Sequence, residues 1–273
     1  MKNITSSILQ KCKKWLLIAP LTLTLVACGN VGFLEGVIPG TVTADQVEQA
    51  AAQYYAEAMT QGNVLPAKNA QVVRVRAIAD RLIPLTPEYN PKAANWQWEV
   101  NVINDPKTLN AWCMAGGKIA FYTGIIDRLK LTDDEIAMIM GHEMVHALKE
   151  HIYYQINKEA TLGFGVSQAG KATGVDSDLA AFGEKMLNLT FSREDEKESD
   201  LIGQELAARA GFDPKAAISL WKKFQNATGS AEAGLSDFFS THPNDEKRIQ
   251  YLEDNLPNVT PLYIEARRNQ GRK

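Results

Sequence analysis

A chain of 273 residues, 45% hydrophobic and 22% charged, has ordinary globular composition, long enough for one sizeable core. That composition excludes a collagen-like, disordered or coiled-coil protein. The formal net charge of −3, with no basic stripe, excludes nucleic acid as the partner.

The N-terminus reads as an export signal. Lys2, Lys11, Lys13 and Lys14 form a positive region, and an apolar run from Trp15 to Val26 follows. The run is too short to span a bilayer. It closes on Leu25-Val26-Ala27-Cys28, which resembles the lipobox of bacterial lipoproteins: cleavage before Cys28, then acylation (palmitate among the chains) of its thiol and new amino group. Gly29 stands where an inner-membrane retention signal would place Asp, so the same resemblance favours the outer membrane. Removing residues 1–27 takes four lysines and no acids, leaving 25 basic against 32 acidic residues and a net charge of −7. Cys12 leaves with the signal and Cys28 carries lipid, so Cys113 has no intrachain partner and no disulfide framework exists. Its neighbours Trp112 and Met114 favour a small buried hydrophobe over a nucleophile.

Residues 28–43 hold Gly29, Gly32, Gly36, Gly40 and Pro39 and read as a flexible tether. A helical pattern begins at Thr43, with Thr43 and Asp45 as candidate caps and Val47, Ala50, Ala51, Tyr54 and Ala58 on one face. A second helix runs near Gln71–Ile83 and stops at Pro84. From 96 to 124 apolar residues alternate (Trp96, Trp98, Val100, Val102), and Lys118–Thr123 follows Gly116-Gly117. This predicts a small antiparallel sheet. Helical patterns resume at Thr132 and continue nearly to the end, interrupted by Gly163, Gly165, Gly170 and Gly174. The predicted fold class is α+β, predominantly helical.

The helix opening at Thr132 has a capping box, Thr132 with Glu135, and further acids in its first turn. It is apolar on nearly every side, which places it inside the domain. Yet His142, Glu143 and His146 stand in its middle, and burying such groups is costly unless they are paired or bound to metal. Four residues return a side chain to one face, about 6 Å along the axis, so two imidazoles can reach one zinc ion. Glu143, displaced by about 100°, reaches a water beside the metal rather than the metal itself. This is the H-E-x-x-H arrangement of zinc peptidases, with Glu143 as general base. His151 reads as structural, a cation suited to the helix end.

A catalytic zinc needs three protein ligands and one open position. The acidic run Arg193–Asp200 offers the third, on a helix capped by Ser192 and ending at Gly211. Glu194, Glu198, Glu205 and Arg209 share one face, which looks solvated. Glu196, Asp200, Gly203 and Ala207 share another, small enough to press on a neighbouring helix. From that face Glu196 can ligate zinc, and Asp200, one turn on, can orient a ligand histidine. A solvated charge run is the usual fate of such clusters, and the residues alone leave the two readings open.

An ordered set of motifs carries a resemblance: Asn110-Ala111-Trp112, Gly116-Gly117-Lys118-Ile119, Tyr122-Thr123-Gly124, His142–His146, Ser192-Arg193 with Glu196 and Asp200, and Thr241-His242-Pro243 with Arg248. Over roughly residues 70–255 the chain resembles the zincin metallopeptidases that unite LoiP, BepA, HtpX and the CAAX prenyl proteases, and within them the compact lipoprotein branch. HtpX and the prenyl proteases have several membrane spans and BepA a helical-repeat domain, neither matched here. The resemblance implies a zincin-like core holding one zinc ion per chain on His142, His146 and Glu196. It implies Glu143 as general base and Asp200 as the acid behind the ligands. It also implies that His242 lies near the zinc, either stabilising the oxyanion or occupying the open position; Pro243 equally suits a helix start.

The expected organisation is a signal over 1–27, a tether over 28–43, a metallopeptidase domain over 44–260 and a C-terminal tail over 261–273. The expected activity is zinc-dependent endopeptidase action in the periplasm at the outer membrane, in envelope protein quality control. An extended substrate would pair with an edge strand near Asn110 and Ala111. Expected partners are unfolded or misassembled envelope proteins as substrates, the outer membrane through the lipid anchor, and outer-membrane assembly machinery. Two alternatives are a chaperone or assembly factor with a latent protease site, and a hydrolase of another amide such as a peptidoglycan cross-link.

Overall fold

The computed structural model describes residues 42–161, 185–229, 235–243 and 247–271. Cys28, the signal, the tether up to residue 41 and the glycine-punctuated stretch lie outside the described residues.

Two helices lead, α1 (Ala44–Gln61) and α2 (Ala70–Leu82). Thr43 caps α1 in a full capping box with Gln46, and Asn69 caps α2. Two short 3-10 turns, Ile83–Glu88 and Pro91–Asn95, follow where the prolines stop α2. Then come β1 (Glu99–Ile103), β2 (Ala111–Met114) and β3 (Lys118–Tyr122).

The fold class is as expected, but the sheet is mixed rather than antiparallel. Strand order is β1–β3–β2, with β3 parallel to β1 and antiparallel to β2. Alternation identifies strands but does not fix the direction of a partner. Here residues 104–110 carry the chain from β1 to the far edge strand β2, and the hairpin then returns β3 between β1 and β2. The hairpin needs left-handed backbone at Gly116 (φ 77°) and Gly117 (φ 79°). A Cβ on Gly117 would lie 2.6 Å from the Trp98 ring. The outer side of β1 is occupied: Arg76 Nε donates to the Val100 carbonyl at 2.9 Å, and the Leu65 N–H donates to the Val102 carbonyl at 2.9 Å.

The helical remainder comprises α3 (Thr123–Arg128), α4 (Asp133–Leu148), α5 (His151–Thr161), α6 (Arg193–Arg209), α7 (Ala216–Gly229), α8 (Leu235–Thr241) and α9 (Arg248–Gln270). The Thr132–Glu135 capping box is formed, and α4 is buried without interruption from Glu135 to Leu148. Ser192 caps α6 in a third capping box, and Gly211 (φ 81°) follows its C-terminus. Residues 261–270 are not a separate tail. They are the last turns of α9, which passes through Pro257 and Pro261, and Gln270 Nε2 donates to the Ala210 carbonyl at 3.0 Å. Among the described residues, no helix is long and apolar enough to cross a membrane.

One contact positions the site. α4 and α6 cross at Gly141 and Gly203 with backbone against backbone. A Cβ on Gly203 would lie 2.7 Å from the His142 nitrogen, and one on Gly141 would lie 2.8 Å from the Gly203 carbonyl oxygen. Backbone cannot swing aside as a side chain can, so Gly203→Ala forces the helices apart. Overpacking of this kind costs about 1–3 kcal/mol. At about 2–4 °C per kcal/mol for a domain of this size, melting should occur several degrees lower. A thermal melt indistinguishable from that of the unaltered protein would show the crossing to be loose.

Candidate metal centre

The glycine crossing brings the middle of α4 against the first turns of α6. His142, His146 and Glu196 converge from these helices, and His242 joins them from the end of α8; all four are buried, with one donor atom each within 4.8 Å of the others. His142 Nε2 lies 3.1 Å from His146 Nε2 and 3.3 Å from His242 Nδ1. Glu196 Oε1 lies 2.9 Å from His242 Nδ1 and 3.4 Å from His146 Nε2. Ligands at about 2.0–2.1 Å around a tetrahedral zinc stand about 3.3 Å apart, the spacing seen here.

The hydrogen bonds behind the donors test the fit. His142 Nδ1 faces Asp200 Oδ1 at 2.9 Å. An ionised carboxylate only accepts, so Nδ1 carries the proton and Nε2 presents a bare lone pair to the centre. Burial pushes Asp200 up, but the Arg248 guanidinium and His142 more than offset it and hold the carboxyl down to about 2. Bare imidazole nitrogens facing one another at this distance repel unless a cation sits between them. The nitrogen-rich donor set with one carboxylate suits zinc.

Glu143 faces the same space without belonging to the donor group. Its Oε1 lies 3.4 Å from His242 Nε2 and accepts no hydrogen bond among the described residues. A buried carboxylate oxygen left without a hydrogen bond is costly, which marks a place for a donor that arrives from outside. Burial raises the Glu143 carboxyl above the usual range, with His242 and His142 opposing it.

Arg248, quoted in the sequence only as part of a resemblance, proves central. It is 1% exposed. Nε and Nη2 fork onto Asp200 at 2.7 and 2.6 Å, and Nη1 donates to Glu196 Oε2 at 2.6 Å. Its guanidinium lies 3.7 Å over the Trp221 ring, and Tyr251 donates its hydroxyl to Asp200. Glu196 is thereby held through one oxygen while the other faces the histidines.

A cleft of about 330 Å³ opens on this centre, with β2 as one wall. Asn110, Ala111, Glu143, His146 and His242 line it. β2 is the outer strand on this side of the sheet. Cys113 also lines the cleft, but burial pushes its thiol well above its usual range, in keeping with the inert reading.

His151 differs from its sequence reading. It does not close α4; it opens α5 after a break at Glu150, whose φ of 56° is left-handed. It is buried beside His146. The available signal was the crowding of three of the four histidines into His142–His151.

A helix-borne histidine pair completed by a carboxylate from a second helix defines a zincin-type metal centre. Residues 69–256 match the family described as Peptidase family M48, and the chain belongs to that family. It is 39% identical over 156 residues to the mitochondrial metalloendopeptidase OMA1 of Arabidopsis thaliana, covering 57% of this chain and 31% of that protein. With OMA1 of Schizosaccharomyces pombe it shares 32% identity over 222 residues, 79% of this chain and 63% of the relative. With the metalloprotease LoiP of Escherichia coli it shares 28% identity over 218 residues, 77% and 81% of the two chains. The chain thus spans 31% to 63% of the length of these two OMA1 relatives.

Proposed function

We propose that this protein is a zinc-dependent endopeptidase that hydrolyses extended polypeptide segments. The observation carrying this reading is the buried carboxylate oxygen of Glu143, which accepts no hydrogen bond among the described residues, beside the four-donor group and on the cleft walled by β2. His142, His146 and Glu196 would hold the ion. When bound, zinc supplies a Lewis acid that polarises the scissile carbonyl and lowers the pKa of a water to about 7.

The chain's own groups do the rest. β2 pairs with the substrate backbone, Asn110 and Ala111 lying where the pairing begins. Backbone pairing leaves side chains largely unread, which suits unfolded or misassembled substrates. Glu143 takes the proton of the attacking water on its carboxylate and returns it to the leaving amine. With His242 included the donors number four, as in a closed structural site. Since hydrolysis needs an open position, His242, the donor from outside α4 and α6, is the one that yields to substrate or turns to its oxyanion.

The proposed setting is the periplasmic face of an outer membrane, with the chain anchored through lipid on Cys28 and acting on envelope proteins or beside their assembly machinery. The lipobox-like Leu25–Cys28, the signal before it and Gly29 after it support this setting.

The test is metal analysis of the purified protein together with casein cleavage. One zinc per chain is expected, with cleavage lost on chelation and restored by stoichiometric zinc. Chelator-resistant cleavage would remove the metal from the reaction.

A further inference from the structure

His151 lies outside the donor group, and the proposed hydrolysis gives it no task. It is nevertheless 6% exposed and wedged between a ligand and a carboxylate. Its Nδ1 stands 3.0 Å from His146 Nδ1, and its Nε2 stands 3.1 Å from Glu198 Oε2 and 3.7 Å from Asp195 Oδ1. Lys149, 3.5 Å from the other Glu198 oxygen, completes the charged surroundings.

Only one arrangement of protons satisfies this line of atoms. His146 Nε2 faces the donor group and must be bare to bind a metal, so the His146 proton sits on Nδ1. That proton needs an acceptor, which makes His151 Nδ1 the bare nitrogen. The remaining His151 proton is then on Nε2, directed at Glu198. Every donor meets an acceptor, and His151 is neutral.

The backbone is arranged for this contact. In an unbroken helix a residue five beyond His146 would lie about 140° around the axis from it. The left-handed turn at Glu150 restarts the chain as α5 and returns the imidazole to the back of His146. Phe191 covers the His146 ring at 3.9 Å between centroids. It restrains the ring's plane but cannot select which nitrogen points inward. A hydrogen bond to Nδ1 can.

We propose that His151 is the positioning residue of His146, a neutral imidazole that accepts the Nδ1 proton and so fixes the tautomer that presents Nε2 to the metal. This rests on the metal reading above. The two ligand histidines are supported differently: His142 by a carboxylate neutralised by Arg248, His146 by an uncharged ring. A second carboxylate behind His146 would crowd more negative charge around Glu143, Glu196 and Asp200. The imidazole supplies the acceptor without the charge.

The experiment is zinc affinity by competition with a chelator, on the unaltered chain and on His151→Ala, His151→Asn and Glu198→Ala. Losing an outer hydrogen bond to a ligand histidine weakens metal binding about 10–100-fold, the expected effect of His151→Ala. Asn places an oxygen near the position of the imidazole Nδ1, so His151→Asn should recover most of the affinity. Glu198→Ala, which removes only the half-exposed acceptor of the far nitrogen, should give a smaller loss. The rise in melting temperature on adding zinc should follow the same order. Equal zinc affinity in the Ala and unaltered proteins, or an Asn variant as weak as Ala, overturns the proposal while leaving the metal site standing. An unaltered chain that binds no zinc removes both. If His151→Ala does not fold, the Asn and Glu198→Ala proteins decide.

Discussion

A protein carrying Glu143→Gln is expected to load zinc as fully as the unaltered chain and to cleave casein about 10²–10⁴-fold more slowly, the usual contribution of a general base. The substitution keeps the shape of the side chain and removes its capacity to take a proton. Metal binding should survive because Glu143 stands outside the buried donor group of His142, His146, Glu196 and His242. Folding should survive too, since the altered oxygen accepts no hydrogen bond among the described residues. Undiminished cleavage would refute the base assignment, and loss of zinc would move Glu143 into the ligand set. The same protein separates hydrolysis from binding. If it rescued an envelope-stress defect, the useful act would be holding a client chain rather than cutting it.

The second large effect is expected at Arg248. Met in its place preserves much of the volume against Trp221 but leaves Asp200 and Glu196 as buried acids without their counter-charge. Breaking a buried ion pair by removing one partner costs about 3–5 kcal/mol. Against a whole-domain stability of about 5–15 kcal/mol, that is a large share. The chelated variant should therefore unfold at much lower urea with an unchanged dependence on urea. Arg248→Lys should recover little, because a point charge cannot reproduce a fork that meets Asp200 through two nitrogens and Glu196 through a third. Zinc affinity should fall in both variants, since Glu196 loses the bond that aims its free oxygen. A urea midpoint unmoved by Arg248→Met would mean that the two carboxylates are neutral in the fold.

How much of the fold and the metal centre is legible in the sequence depends on the range of each signal. Caps are local, and the capping box at Thr132 and the cap at Ser192 are formed where the spacing places them. Facing residues on α6 are also local: Glu196, Asp200, Gly203 and Ala207 are buried together. The choice of Glu196 over its acidic neighbours is half legible, because small residues on its face announce a close helix partner but do not name it. Strand direction is not legible, because alternation is the same in parallel and antiparallel pairs. The continuation of α9 through Pro257 and Pro261 is hidden by residues that ordinarily end helices. His151 is misplaced for a related reason. Sequence spacing assumes one continuous helix, and the single left-handed residue at Glu150 redirects everything after it. Arg248 is hidden by distance along the chain, since nothing near it in sequence tells that it will meet two acids about fifty residues earlier.

The two sides of the small sheet are finished differently. Arg76 and Leu65 occupy the carbonyls along β1, whereas β2 ends the sheet at the wall of the cleft. In the function proposed above, a polypeptide that adds itself to this sheet does so along β2, on the wall of the cleft that Glu143 also lines. Along β1 the Val100 and Val102 carbonyls already have partners, which disfavours pairing there. Under that proposal stickiness and scission would share one border, and the feature that would seed aggregates in another protein would serve as an intake.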